Sequence, residues 1–326
     1  MTKHLDRTEI GLLIALPFLI LVAFVLPKWI VNYVHVSMGT GLVALGVMIQ
    51  MRAGLVSFGQ GLYFCVGGYA AGMMAKFLGI TDFFVLLASG IIAALILSAL
   101  LGFLLRRYRE IFYAMLTLAV SMILFGLLSS IEGLGSTDGF NLPTPSYLGW
   151  QPEGETSRLT LYTLTCLIAI GSAIALNRFL KSPMGYVNEA IRENELRVEY
   201  LGTSAHQAVH ITYVLAAVVS AIGGVLWALP LGHVDPEMTN WTTSGQFVFV
   251  SILSGTGHIA APMIGTFILE LVRVYAVELS PNTWQMILGT VMLLTIIFLP
   301  KGLWSLVTRK KKTKKSAGAD APVAGE

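Results

Sequence analysis

Residues 83–105 read FFVLLASGIIAALILSALLGFLL, a run without a single charge, and Arg106, Arg107 and Arg109 follow at once. At about 1.5 Å of rise per helical residue, such a run spans roughly 35 Å, enough to cross a bilayer's hydrocarbon core of about 30 Å. Basic residues at one end mark the side that stays in the cytoplasm. This segment therefore reads as a membrane-crossing helix with its carboxy-terminal end inside.

The rest of the chain has the same character. Of its 326 residues, 55% are hydrophobic and only 12% charged, and the mean hydropathy is +0.75. Charged residues make up about a quarter of an ordinary soluble domain, which needs them to cover its core. Apolar runs fall at 10–27, 34–51, 61–79, 83–105, 111–131, 159–178, 206–231, 243–258, 259–279 and 283–300. The expected fold is all-α, a polytopic transmembrane helical bundle of about ten spans. The second run is short, and Ser244, Gly245, Gln246, Ser251, Ser254 and Gly255 make the eighth polar. Each is a candidate broken or re-entrant helix. Lys3 and Arg7 precede an apolar run that lacks a small-residue cleavage site, so this run reads as a retained first span.

Orientation follows from the cations. With the N-terminus inside, Lys3, Arg7, Arg52, Arg106, Arg107, Arg109, Arg178, Lys181, Arg192, Arg197, Lys301 and the Arg309 to Lys315 cluster all face the cytoplasm. Only Lys28, Lys76, Arg158 and Arg273 are left over. Both termini are expected inside, with the longest outer loop at 132–158. A transmembrane domain is assigned to 1–305 and a basic, disordered tail to 306–326. That tail suits anionic membrane lipid; without a folded reading surface, nucleic acid is not an expected partner. Cys65 and Cys166 lie in apolar segments and read as packing residues, not a disulfide.

Between two spans stands KSPMGYVNEAIRENELRVEYLG, residues 181–202. Ser182 can cap a helix, Pro183 suits its first position, and Gly202 can end it in the left-handed region. Tyr186, Val187, Ala190, Ile191, Val198 and Leu201 recur at helical spacing, while Glu189, Arg192, Glu193, Glu195 and Glu199 crowd the opposite face. A helix that merely lies on lipid favours Lys and Arg on its polar side. This acidic face is better suited to docking a protein. Glu193 and Arg197, four apart, can pair and stiffen it as a lever.

SPMGYVNEAIRENELRVEYLG resembles the cytoplasmic loop of permease subunits of branched-chain amino acid ABC importers, the LivM type. GLVSFGQGLYFCVGGYAAG from Gly54 and SGTGHIAAPMIG from Ser254 are similar to that family's two glycine-rich stretches, and Gly135-Ser136-Thr137-Asp138-Gly139 to its outer-loop signature. Ser254 stands where a glycine pair is usual. The likeness covers most of residues 40–304 in the right order. It implies a multi-pass protein of the bacterial inner membrane, working with a second homologous permease, two ABC ATPase subunits and an outer solute-binding protein. The implied solutes are branched-chain or other amino acids, urea, short amides or aromatic acids. ATPase coupling is expected on the helix 183–202, at Ser182, Pro183, Gly185, Glu189, Ala190, Arg192, Glu193, Asn194, Glu195 and Gly202.

Some features can be read without the family. Gly68 and Gly72, like Ser220 and Gly224, are four apart and allow close helix approach. Gly54, Gly59 and Gly61 lie between spans, where irregular backbone must be buried or line a cavity. The similar elements at the inner ends of spans two and eight point to an internal duplication. Gln60, Tyr63, Ser244 and Gln246 are polar groups on apolar spans and candidates for the path, with Asp138 and Asn141 for an outer dock. Glu270 and Arg273, three apart, can neutralise each other or line the path or a subunit seam.

Rival chemistries find little support. No G-x-S-x-G elbow or HExxH motif occurs, so an intramembrane hydrolase is not expected. His206 and His210 have no third metal ligand nearby, and His258 reads as fixing the turn after Gly257. No metal and no cofactor are expected. The chain contains no Gly-Lys dipeptide and hence no P-loop, so ATP belongs on other subunits. The alternative, an ion-coupled secondary transporter without ATPases, would rest on the Glu270 and Arg273 pair.

Overall fold

The computed structural model describes residues 6–281, 283–298 and 302–304; Lys3, Lys301 and the basic tail 306–326 lie outside them. The described chain is helical: α1 (Arg7–Val25), α2 (Lys28–Arg52), α3 (Gln60–Leu78), α4 (Phe83–Leu105), α5 (Glu110–Ser130), α6 (Gly154–Leu180), α7 (Pro183–Tyr200), α8 (Ala205–Leu231), α9 (Trp241–Ser254), α10 (Ala260–Leu279) and α11 (Trp284–Phe298). Two short strands, β1 (Phe140–Asn141) and β2 (His233–Val234), pair antiparallel with Phe140 opposite Val234.

Seven of these helices are long and apolar enough to cross a membrane. Of the three other runs expected to cross, α9 has 14 residues and α11 has 15, while α3 is long but diluted by Gln60, Lys76 and several glycines. The second run is not short. Its helix is α2, which starts at Lys28, directly after the extended N-cap Pro27, and so takes in Trp29, Asn32 and Tyr33 ahead of the apolar run. The outer loop is correspondingly briefer than 132–158, since α6 already begins at Gly154.

Polar contacts gather at the two ends of the bundle. At one end Arg178 meets Glu9 at 2.9 Å and Lys181 meets Asp6, joining α6 to α1. Arg52 meets Glu189 at 3.1 Å and Arg109 meets Glu195 at 2.6 Å, tying α7 across the same end. At the other end Lys28 and Arg158 share Glu155. There the Lys76 ammonium donates to the Gly133 carbonyl at 2.9 Å and sits 4.6 Å from the Phe140 ring. Asp82 accepts the Phe84 and Val85 amides, capping α4, and also the Leu148 amide at 2.6 Å. Three of the four leftover cations are thus held at the end opposite α7.

α2 and α8 form the centre of the bundle; most of their residues are buried. α4 and α5 lie outside and present Ile92, Leu100, Ile123 and Leu127 to the surroundings, as lipid permits and water does not. Small residues set the closest approach. A Cβ on Gly67 would overlap the Ala221 carbonyl, and one on Gly224 the Phe64 carbonyl, so α3 and α8 touch backbone to backbone. Gly68 lies against Ala228 of α8 as expected, and also against Val234 and Met238, whereas Gly72 faces Phe140 and Val234 of the two short strands. Cys65 and Cys166 are buried and free.

Candidate functional site

α8 ends at Gly232, whose φ of 65° turns the chain back towards the bundle. After β2 the chain makes a 3₁₀ turn, Pro236–Thr239. There the Ser121 hydroxyl donates to the Thr239 carbonyl at 2.8 Å, and the Thr239 hydroxyl to the Ser121 carbonyl at 3.2 Å. Ser121 lies midway along α5, so this non-helical backbone sits at half depth. Such backbone survives away from water only where protein or a cavity surrounds it. α9 starts there and, at about 21 Å long, covers only part of a bilayer.

The first turn of α9 opens onto a cavity of about 290 Å³ between α2, α9 and α10. That is just under the range for ligand pockets, about 300–1,000 Å³. Asn240, at the N-cap, makes no side-chain bond to the helix and donates instead to Glu237 at 2.8 Å. The first-turn amides of α9 are therefore left with the positive end of the helix dipole. Thr242, Thr243 and Gln246 line the cavity from α9, Asp235 and Glu237 from the turn, and Glu270 and Arg273 from α10, where they pair at 3.6 Å. Donors and carboxylates thus face one small space.

Of the four path residues expected from sequence, Gln246 lines this cavity. Ser244, half a turn earlier, is buried and accepts the Gly61 amide at 3.2 Å. Gln60 accepts the Ser220 hydroxyl at 2.6 Å, and Tyr63 shares a 2.7 Å hydrogen bond with Tyr213. Those three groups link helices. Sequence reasoning missed Asp235, Glu237, Thr242 and Thr243; their signal was the Asp-Pro-Glu turn just ahead of an unusually polar helix.

At the opposite end from β1, α7 departs from the expected straight lever. It breaks at Asn194 (φ −163°, ψ 104°), whose side chain accepts the Arg197 amide at 3.1 Å and caps a second helical segment. The break falls between Glu193 and Arg197, and the described residues include no ion pair between them. Ser182 precedes Pro183 as expected, but its hydroxyl donates back to the Phe179 carbonyl at 2.6 Å and caps nothing. Gly202 (φ 83°) follows the last turn; its amide bonds the Glu199 carbonyl and that of Thr203 bonds Val198, a Schellman end. A Cβ on Gly185 would strike the Leu180 carbonyl.

The faces of α7 also differ from the expectation. Gly185, Asn188, Ile191 and Val198 are buried, and the Asn188 amide donates to Thr212 of α8 at 2.8 Å. Glu189 and Glu195 bind arginines of this chain. Tyr186 and Leu201, on the apolar stripe expected to face protein or membrane, are exposed, and so are Leu196 and Tyr200. Ala190, Arg192 and Glu193 are exposed too, Arg192 lying against Gly54. The outward surface of α7 is thus aromatic and apolar as well as charged.

Asp138 is exposed in a 3₁₀ turn, Ser136–Asp138, and Asn141 meets the His233 ring at 2.8 Å, both beside the chain that descends into the cavity. His206 lies 3.7 Å from Glu199 and near Glu195, while His210 turns towards Gly102. His258 fixes the turn before α10 by accepting the Ala260 amide at 3.1 Å.

A many-helix bundle with apolar flanks, backbone broken at half depth and a small polar cavity beside the break defines a multi-pass membrane permease. The chain belongs to the family described as branched-chain amino acid transport system / permease component, whose model matches residues 29–296. It is 26% identical to the high-affinity branched-chain amino acid transport system permease protein LivM of Escherichia coli (strain K12), over 87% of this chain and 71% of that one. It is 24% identical to LivH of Salmonella typhimurium, over 83% and 93%. It is also 26% identical to a probable LivM of Methanocaldococcus jannaschii, over 77% and 86%. No solved structure matches.

Proposed function

We propose that this permease carries branched-chain amino acids across a bacterial inner membrane, moving the zwitterion through the cavity beside α9. The observation that carries this reading is the pairing of opposite charges around one small space. The amino end of the short helix α9 favours a carboxylate, while Glu237 and Glu270 favour an ammonium group. Phe64, Trp227, Phe247 and Val250 supply an apolar wall for the side chain.

In this reading α7 lies in the cytoplasm and docks an ABC ATPase through Tyr186, Leu196, Tyr200 and the exposed charges around Glu193. A second permease completes the path, a solute-binding protein docks near Asp138 and Asn141, and ATP is hydrolysed on partner chains. The test is reconstitution of the full assembly in vesicles with labelled leucine. Uptake should require ATP and the ATPase chains, and Gln246→Leu or Thr242→Val with Thr243→Val should lower it at least tenfold without loss of assembly. Accumulation by this chain alone under an ion gradient would replace the reading with a secondary transporter.

A further inference from the structure

A second cavity, of about 500 Å³, runs between α1 and α10. Its polar residues cluster at one mouth: Arg7 and Thr8 from the start of α1, with His258 and Trp304 across from them. The His258 ring accepts the Ala260 amide on Nδ1, which leaves Nε2 to donate to the Thr8 hydroxyl at 3.2 Å. Trp304 stacks on that ring at 4.2 Å. Away from the mouth the walls are apolar, with Leu12 and Phe18 on α1 facing Met263 and Phe267 on α10.

Its dimensions and charge fit one kind of occupant. Phe18 lies eleven residues beyond Arg7, about 17 Å along the helix and close to half of a hydrocarbon core. The groove is therefore one leaflet deep. Around its mouth Asp6 and Glu9 are taken by Lys181 and Arg178. The Arg7 guanidinium makes no ion pair among the described residues. Tryptophan at this level is the usual company of a lipid headgroup. α1 also lies ahead of the residues that the family shares.

We propose that this groove holds one acyl chain of an anionic phospholipid from the leaflet at the α7 end, with its phosphate at Arg7, seating α1 against α10. Gly11 supplies a clean test, because it lines the groove and a Cβ there meets no atom within 4 Å. Gly11→Phe should fill the groove without disturbing the fold. Gly171→Phe on α6, equally unobstructed, is the control.

The delipidated full-length protein would be titrated with dioleoylphosphatidylglycerol or dioleoylphosphatidylcholine and read by native mass spectrometry. One phosphatidylglycerol should bind at least tenfold more tightly than phosphatidylcholine. Gly11→Phe should abolish that binding, Arg7→Gln should reduce it to the phosphatidylcholine level, and Gly171→Phe should leave it unchanged. Undiminished binding in Gly11→Phe, or no preference for the anionic lipid in the unaltered protein, would overturn the proposal. So would phosphatidylglycerol binding that appears only after deletion of residues 306–326, since the groove would then belong to the chain's own tail.

Discussion

Arg109 grips Glu195 with two parallel bonds, Nε to Oε2 at 2.8 Å and Nη2 to Oε1 at 2.6 Å, while its Nη1 donates to the carbonyls of Arg106 and Tyr108. The second segment of α7 is thereby latched to the turn before α5. Arg52 and Glu189 latch the first segment to α2. With Asn194 between the two latches, a push on α7 reaches two different helices. In the proposed importer this is how ATPase movement would be divided between them.

The Arg109 latch should be measurable. Both side chains are about a quarter exposed, so a coupling of about 1 kcal/mol is expected, near the top of the range for surface pairs because the geometry is two-pronged. A double-mutant cycle of Arg109→Ala and Glu195→Ala, followed by unfolding in detergent, gives that number. ATP-driven uptake should fall several-fold in each single variant. A vanishing coupling would remove the latch.

Asn194→Ala should free the second segment of α7. Loss of an N-cap bond costs about 1 kcal/mol, so residues 195–200 should exchange amide hydrogens roughly five-fold faster while 183–193 keep their protection. Equal exchange of residues 195–200 in the variant and the unaltered protein would mean that the cap holds nothing.

Gly67→Ala and Gly224→Ala should each weaken the α3 and α8 crossing by about 1–3 kcal/mol, the usual cost of overpacking. Gly126→Ala and Gly171→Ala, whose added carbon meets no atom within 4 Å, serve as controls. Thermal unfolding in detergent should separate the two sets. Equal midpoints would show that the crossing is looser than described.

His35 of α2 is buried and shares a 2.7 Å hydrogen bond with Thr165 of α6, its ring edge-on to Tyr162. Thr165→Val removes the hydroxyl and leaves a buried ring nitrogen without it, which should cost about 1–3 kcal/mol. Thr165→Ser should restore most of the loss. A lowered unfolding midpoint in the valine variant alone is the expected pattern.

Sequence by itself determined that the chain is a helical membrane protein, because solvent preference adds up along a chain and needs no partner: residues 83–105 are an oily helix in any fold. It likewise determined where α7 begins and ends, since Pro183 and Gly202 act through their own backbone angles. Tertiary structure alone decided which polar groups face the cavity. Ser244 and Gln246 are two residues apart with the same composition around them, yet one caps α3 and the other lines the open space. It also decided that Glu189 and Glu195 answer to Arg52 and Arg109, arginines 137 and 86 positions away. Periodicity reports which residues share a face of one helix. What that face meets is fixed only when the other helices close around it, at distances along the chain over which local spacing carries no information.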